Sequence, residues 1–265
     1  MTTFSFTKTE VATDMAPLNR VPKVTADFWL IKLMAVTMGE TAADYLGVNL
    51  GLGLTNTSIL MTAFLALALV LQFRQKRYVP WSYWLAVVLI SIVGTLVTDN
   101  LVDNFGVKLI TTTLVFSVAL AATFALWYRA ERTLSIHAIH STRREMWYWL
   151  AILFTFALGT AAGDLVAEQF GLGYFSTGIL FGMIIGSLSI GYFFLGLDSI
   201  LGFWLAYILT RPLGASFGDL LSQSHKYGGL GLGTIITSAV FLGAIILIVG
   251  YMTMTHDGEE IATKD

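Results

Sequence analysis

The chain contains no cysteine, which excludes disulfides, thiolate metal sites, iron–sulfur clusters and cysteine nucleophiles. Charge is scarce as well: 12% of the 265 residues are Asp, Glu, Lys or Arg, against roughly 25% in an ordinary soluble domain. The net charge of -2 offers no basic field, so nucleic acid is excluded as a partner. There is no His-Glu-x-x-His, no Gly-x-Ser-x-Gly, no Walker motif and no dinucleotide fingerprint. The expectation is that the chain is not an enzyme, carries no catalytic residue and does not drive transport with ATP by itself. Residues 1–25 lack the apolar stretch of a cleavable signal peptide and read as a cytoplasmic leader.

Apolar residues are present in abundance. They make up 56% of the chain, and the mean hydropathy is +0.75. Crossing the ~30 Å hydrocarbon layer takes about 20 mainly apolar residues, and windows of that kind recur from Phe28 almost to His256. The runs are too long and too little alternating for barrel strands, and in lipid only helices or closed barrels satisfy the backbone. The expected fold is all-α, an integral membrane bundle of eight transmembrane helices with the lipid bilayer as its partner.

Four segments align without gaps: FWLIKLMAVTMGETAADYL, YWLAVVLISIVGTLVTDNL, YWLAILFTFALGTAAGDLV and FWLAYILTRPLGASFGDLL. Each places Gly ten residues after a Trp and Asp five residues after that Gly. The Trp residues are Trp29, Trp84, Trp149 and Trp204, spaced by 55, 65 and 55. The extra ten fall in a polar stretch that divides two halves. A second apolar run follows each Asp. The units are therefore a leader (1–25), repeats at 26–78 and 79–128, a cytoplasmic loop (129–145), repeats at 146–197 and 198–255, and a cytoplasmic tail (256–265).

Eleven Lys and Arg residues lie at the termini or between even and odd spans, whereas Lys108 and Lys226 lie opposite. This bias predicts that both termini are cytoplasmic. The four Trp then serve as anchors at the inner interface, and Lys32, one turn inside, extends its ammonium to that surface. At 1.5 Å per residue each Asp lies about 22 Å from its Trp, towards the outer face.

Gly39, Gly94, Gly159 and Gly214 are each followed four residues later by Ala43, Thr98, Gly163 or Gly218. This small-xxx-small pattern lets helices approach closely. Asp44, Asp99, Asp164 and Asp219 are harder to place, because an ionised carboxylate on a lipid-facing surface costs several kcal/mol. Glu40, Asp103 and Glu168 add acids four residues away, on the same helix faces. Clustered carboxylates with the amides and hydroxyls of Asn49, Asn56, Thr98, Asn100 and Asn104 suit hard cations such as Mn²⁺ or Mg²⁺, or a proton. The four Asp are thus the candidate ion-binding, permeation and metal-ligating residues. The alternative is a non-transporting scaffold or subunit in which each Asp caps the connection that follows. Arg211 replaces Val36, Ser91 and Phe156 of the other copies and precedes Pro212, so it is the candidate for charge pairing, with Glu40 or the Asp cluster as its partner, or for coupling. His137 and His140, three apart in the central loop, are too few to make a metal site.

Four tandem two-helix repeats, each carrying one of these Trp residues, resemble a bacterial family of multi-pass membrane proteins defined as a domain of unknown function. The resemblance covers about residues 26 to 255 and implies the cytoplasmic membrane of a bacterium. It implies no activity. No resident cofactor is expected, a bound divalent cation is the ligand the carboxylates suit, and a homo-oligomer is compatible with the sequence.

Overall fold

The computed structural model describes residues 18–262, with side chains to residue 255. Eight helices follow in order: α1 (Ala26–Asp44), α2 (Leu54–Phe73), α3 (Pro80–Asp99), α4 (Leu109–Glu131), α5 (Thr142–Asp164), α6 (Gly173–Phe194), α7 (Ser199–Ser222) and α8 (Thr234–Ala262). No strand occurs among the described residues. Seven of the helices are long and apolar enough to cross a membrane, so the chain is a multi-pass membrane protein. The exception is α1, whose Asp27, Lys32, Glu40 and Asp44 lower its hydropathy. Its flanks pack against α3, α7 and α8, which makes it part of the bundle's centre.

Each first helix begins on a residue suited to the task. Thr25 accepts from the Phe28 amide, Pro80 opens α3, Ser141 accepts from the Arg144 amide, and Asp198 accepts from the Ile200 and Leu201 amides. The far ends of α1, α3 and α5 are alike: the helix widens into a π turn directly after the Asp, over Tyr45–Asn49, Asn100–Asn104 and Leu165–Gln169. Seven residues after each of these Asp stands Gly51, Gly106 or Gly171, with φ of 74°, 67° and 72°. A side chain at this reversal into the second helix would be strained.

The first helices close a ring, α1 on α3, α3 on α5, α5 on α7 and α7 on α1. Each second helix lies on the first helix of the next repeat, α2 on α3, α4 on α5 and α6 on α7, while α8 returns to α1. The repeated glycines explain the closure. A Cβ on Gly39 would strike Ser91, one on Gly94 would lie 2.7 Å from Cβ of Phe156, one on Gly159 would strike Arg211, and one on Gly214 would lie 2.5 Å from Val36. Each glycine thus receives the residue three before the glycine of the next helix, and the fourth receives that of the first. The outer helices bury a single stripe, such as Thr57, Met61, Leu65, Ala68 and Gln72 of α2, and leave the rest apolar and exposed.

The leader does not stand apart. Residues 1–17 lie outside the described residues, but Asn19 donates to the Val21 and Ile136 carbonyls and accepts from the Ile139 amide, and its carbonyl accepts from the Tyr78 amide. This pins the segment across two loops. At the other terminus α8 runs on to Ala262, so the tail continues a helix.

Candidate functional site

Four residues per step keep one helix face, so the ring presents the same five positions of every repeat to its axis. From the Trp end these are Phe28, Lys32, Val36, Glu40 and Asp44 on α1, with their counterparts on α3, α5 and α7. The first layer is aromatic. Phe28 lies 6.1 Å from Phe203, and the Tyr83 and Tyr148 hydroxyls are 2.5 Å apart. Trp84, Trp149 and Trp204 are 1%, 3% and 4% exposed within this cluster, so they pack on protein rings rather than at a lipid surface, and only Trp29 is half-buried. Depth alone placed them at the interface, but the ring turns them inward.

Lys32 departs from the expectation that it reaches the surface. It is 0% exposed, its Nζ donates to the Tyr207 carbonyl at 2.9 Å, and it lies 4.0 Å from the Tyr207 ring centre. An alkyl stem on the lipid-facing side can snorkel, whereas one facing the axis has no path to water.

Above it, four repeats meet in one cluster. Arg211 of α7 pairs with Glu40 of α1 at 2.9 Å, donates to Thr160 of α5 at 2.8 Å, to Thr95 of α3 and to the Val36 carbonyl at 3.3 Å. Thr95 also donates to Glu40 at 3.1 Å. Glu40, Thr95 and Thr160 occupy the same repeat position, directly after the glycine, and Ala215 holds it in α7. The long Arg211 side chain fits because Gly159 leaves it room.

The Asp layer closes this end. Asp219 is 7% exposed, while Asp44, Asp99 and Asp164 are half-buried, so the axis opens to solvent here and nowhere deeper. All four stand one helical turn beyond the layer that holds Glu40. Asp44 and Asp164 stand on opposite helices of the ring. Asp103 and Glu168 are exposed at the rim, where Glu168 accepts from the Tyr174 hydroxyl at 3.3 Å. Asp44 accepts from Gln223 at 3.4 Å. Asp44, Asp99 and Asp164 make no capping bond to the turns that follow them, which removes the observation the capping reading needs. Among the described residues no three His, Asp or Glu side chains are placed to hold one metal ion.

The amides do not line this opening. Asn49 accepts from Thr234 at 2.9 Å, Asn100 donates to Ser58 at 2.7 Å, and Asn104 donates to Thr55 at 3.3 Å. They tie the π turns to neighbouring outer helices. Asn56 donates to the Leu52 carbonyl, and Thr98 donates across the ring to the Ala157 carbonyl at 3.0 Å. His137 is exposed. His140 titrates below the usual imidazole range, because of burial first and the Arg144 charge second.

Sequence reasoning missed a second buried network, at the Trp end. Glu145 is 0% exposed, pairs with Arg20 at 3.0 Å and accepts from Gln72 at 2.9 Å and from Trp149 at 3.4 Å. Ser82 donates to Gln72 at 2.8 Å. A polar Gln in the buried stripe of α2 was the available signal. A cleft of about 670 Å³ lies beside the axis between α1, α6 and α7, lined by residues including Trp29, Leu33, Tyr192 and Leu213 and by no carboxylate.

The repeat geometry has a family counterpart. The model of the Repeat of Unknown Function (DUF347) matches residues 28–78, 82–133, 147–196 and 202–257. The chain belongs to this family. No curated protein and no solved structure matches it. The four DUF347 copies coincide with the helix pairs, so each copy supplies one inner and one outer helix.

Proposed function

We propose that this DUF347 protein passes a small cation, Mn²⁺, Mg²⁺ or a proton, captured at its Asp end and driven by an ion gradient, with no resident cofactor and no enzymatic step. The observation that carries this is the layer of half-buried Asp44, Asp99 and Asp164 and buried Asp219 standing over the buried Glu40–Arg211 pair. Carboxyl groups left uncapped at one level suit a positive charge, and Glu40 is the acid beneath them. A cation that displaced Arg211 from Glu40 would convert occupancy into movement of α7 against α1. The charge bias favours a bacterial cytoplasmic membrane with the Asp end outside.

The test is flux into liposomes carrying the purified full chain, with dyes for Mn²⁺, Mg²⁺ and H⁺. At least one flux should exceed that of empty liposomes, and it should fall at least tenfold in Asp44→Asn/Asp164→Asn. No flux above background for any of these ions would remove the reading.

A further inference from the structure

The inner half of the axis is chemically unlike its mouth. Below Glu40 the next two layers, including Ser91, Phe156, Lys32 and Tyr207, are at most 1% exposed, so in this conformation no open path for a metal ion runs along the axis. A proton needs only a succession of hydrogen-bonding atoms. In its ammonium form Lys32 has three N–H donors; one is committed, to the Tyr207 carbonyl, and no carboxylate forms an ion pair with it among the described residues. The buried hydroxyl of Ser91 has no hydrogen-bond partner among the described residues, and that of Tyr207 faces the Tyr148 hydroxyl. Native interiors seldom leave such a group unpaired.

We propose that protons cross this inner half and that Lys32 is their relay; the proposal rests on the cation reading above and names the proton as the ion. The Lys32 amine takes a proton arriving from the Glu40 side by way of the Ser91 hydroxyl and becomes an ammonium. It then yields that proton towards the Tyr207 hydroxyl and the Tyr83–Tyr148 pair, and returns to the amine. Arg211 cannot substitute, because a guanidinium does not release its proton in proteins. It holds Glu40 while Phe156 lies 5.5 Å from its guanidinium carbon and 5.7 Å from Lys32 Nζ. The titratable groups around Lys32 are Arg211 and Tyr207 of α7, Tyr83 of α3, Tyr148 of α5 and Glu40 of its own helix; the Tyr251 side chain of α8 is exposed.

The experiment uses the full chain in liposomes containing a pH dye, with a valinomycin potassium potential as driving force. Wild type should move protons well above protein-free liposomes. Lys32→Met and Lys32→Arg should each lose at least tenfold of that rate while eluting as monodisperse protein. Lys32→Arg keeps the charge and the donors, so wild-type flux in it overturns the relay. Should the Lys32 variants fail to fold, Ser91→Ala/Tyr207→Phe takes their place: at least a threefold loss supports the relay, and an unchanged rate overturns it. Wild type that moves Mn²⁺ or Mg²⁺ but no protons removes the relay and leaves the cation reading. Wild type that moves none of them removes both.

Discussion

Arg211 and Glu40, 171 residues apart, form a 2.9 Å ion pair whose side chains are 1% and 7% exposed. The pair ties repeat four to repeat one, where the ring closes. Removing one partner strands the other charge in the interior, so Arg211→Met or Glu40→Gln should each cost about 3–5 kcal/mol. The double variant should recover much of that loss. Thermal unfolding in detergent measures all three, and additive losses would contradict the pairing.

The Asp layer gives a prediction of opposite sign. Because Asp164 makes no capping bond and its carboxyl is half-buried, Asp164→Asn should hold or raise the midpoint of thermal unfolding. A structural cap would instead lose about 1 kcal/mol on replacement. A lowered midpoint would restore the scaffold reading.

Ring closure depends on glycine. A methyl group at Gly214 would sit 2.5 Å from Val36, and one at Gly94 would sit 2.7 Å from Phe156, both in the sealed interior. Gly94→Ala and Gly214→Ala should each destabilise by about 1–3 kcal/mol. Gly186→Ala on α6, where nothing lies within 4 Å, should be neutral or slightly stabilising. Equal effects at all three would mean that the helices do not pack through these residues.

At the Trp end, Arg20 is one of three donors to the buried Glu145. Since Gln72 and Trp149 remain, Arg20→Ala should cost about 1.5–3 kcal/mol, less than the loss of Arg211. Unfolding midpoints of the two variants, measured side by side, check that order.

Orientation can be read chemically because the chain has no cysteine to give background. Lys226→Cys should react with an impermeant thiol reagent added outside intact cells. Lys76→Cys should react only after lysis. The reverse pattern would invert the assignment of the Asp end.

The periodicity of the chain alone established eight helices, the four copies and the register of Trp, Gly and Asp, because helix length and repeat spacing are local properties. It also limited the partner of Arg211 to Glu40 or the Asp cluster, since burial of one charge in lipid demands another, and the structure chose Glu40. The tertiary structure decided which neighbour each face meets. The cyclic packing of Gly39 on Ser91 and of Gly214 on Val36 is a property of closure, and closure turned the Trp rings and Lys32 inward, where hydropathy had put them at a surface. It likewise joined Gln72 to Glu145 and the Asn19 segment to the central loop, contacts between residues far apart in the chain. A one-dimensional pattern fixes which side of a helix is polar; only the assembled ring determines whether that side looks at lipid, at water or at another helix.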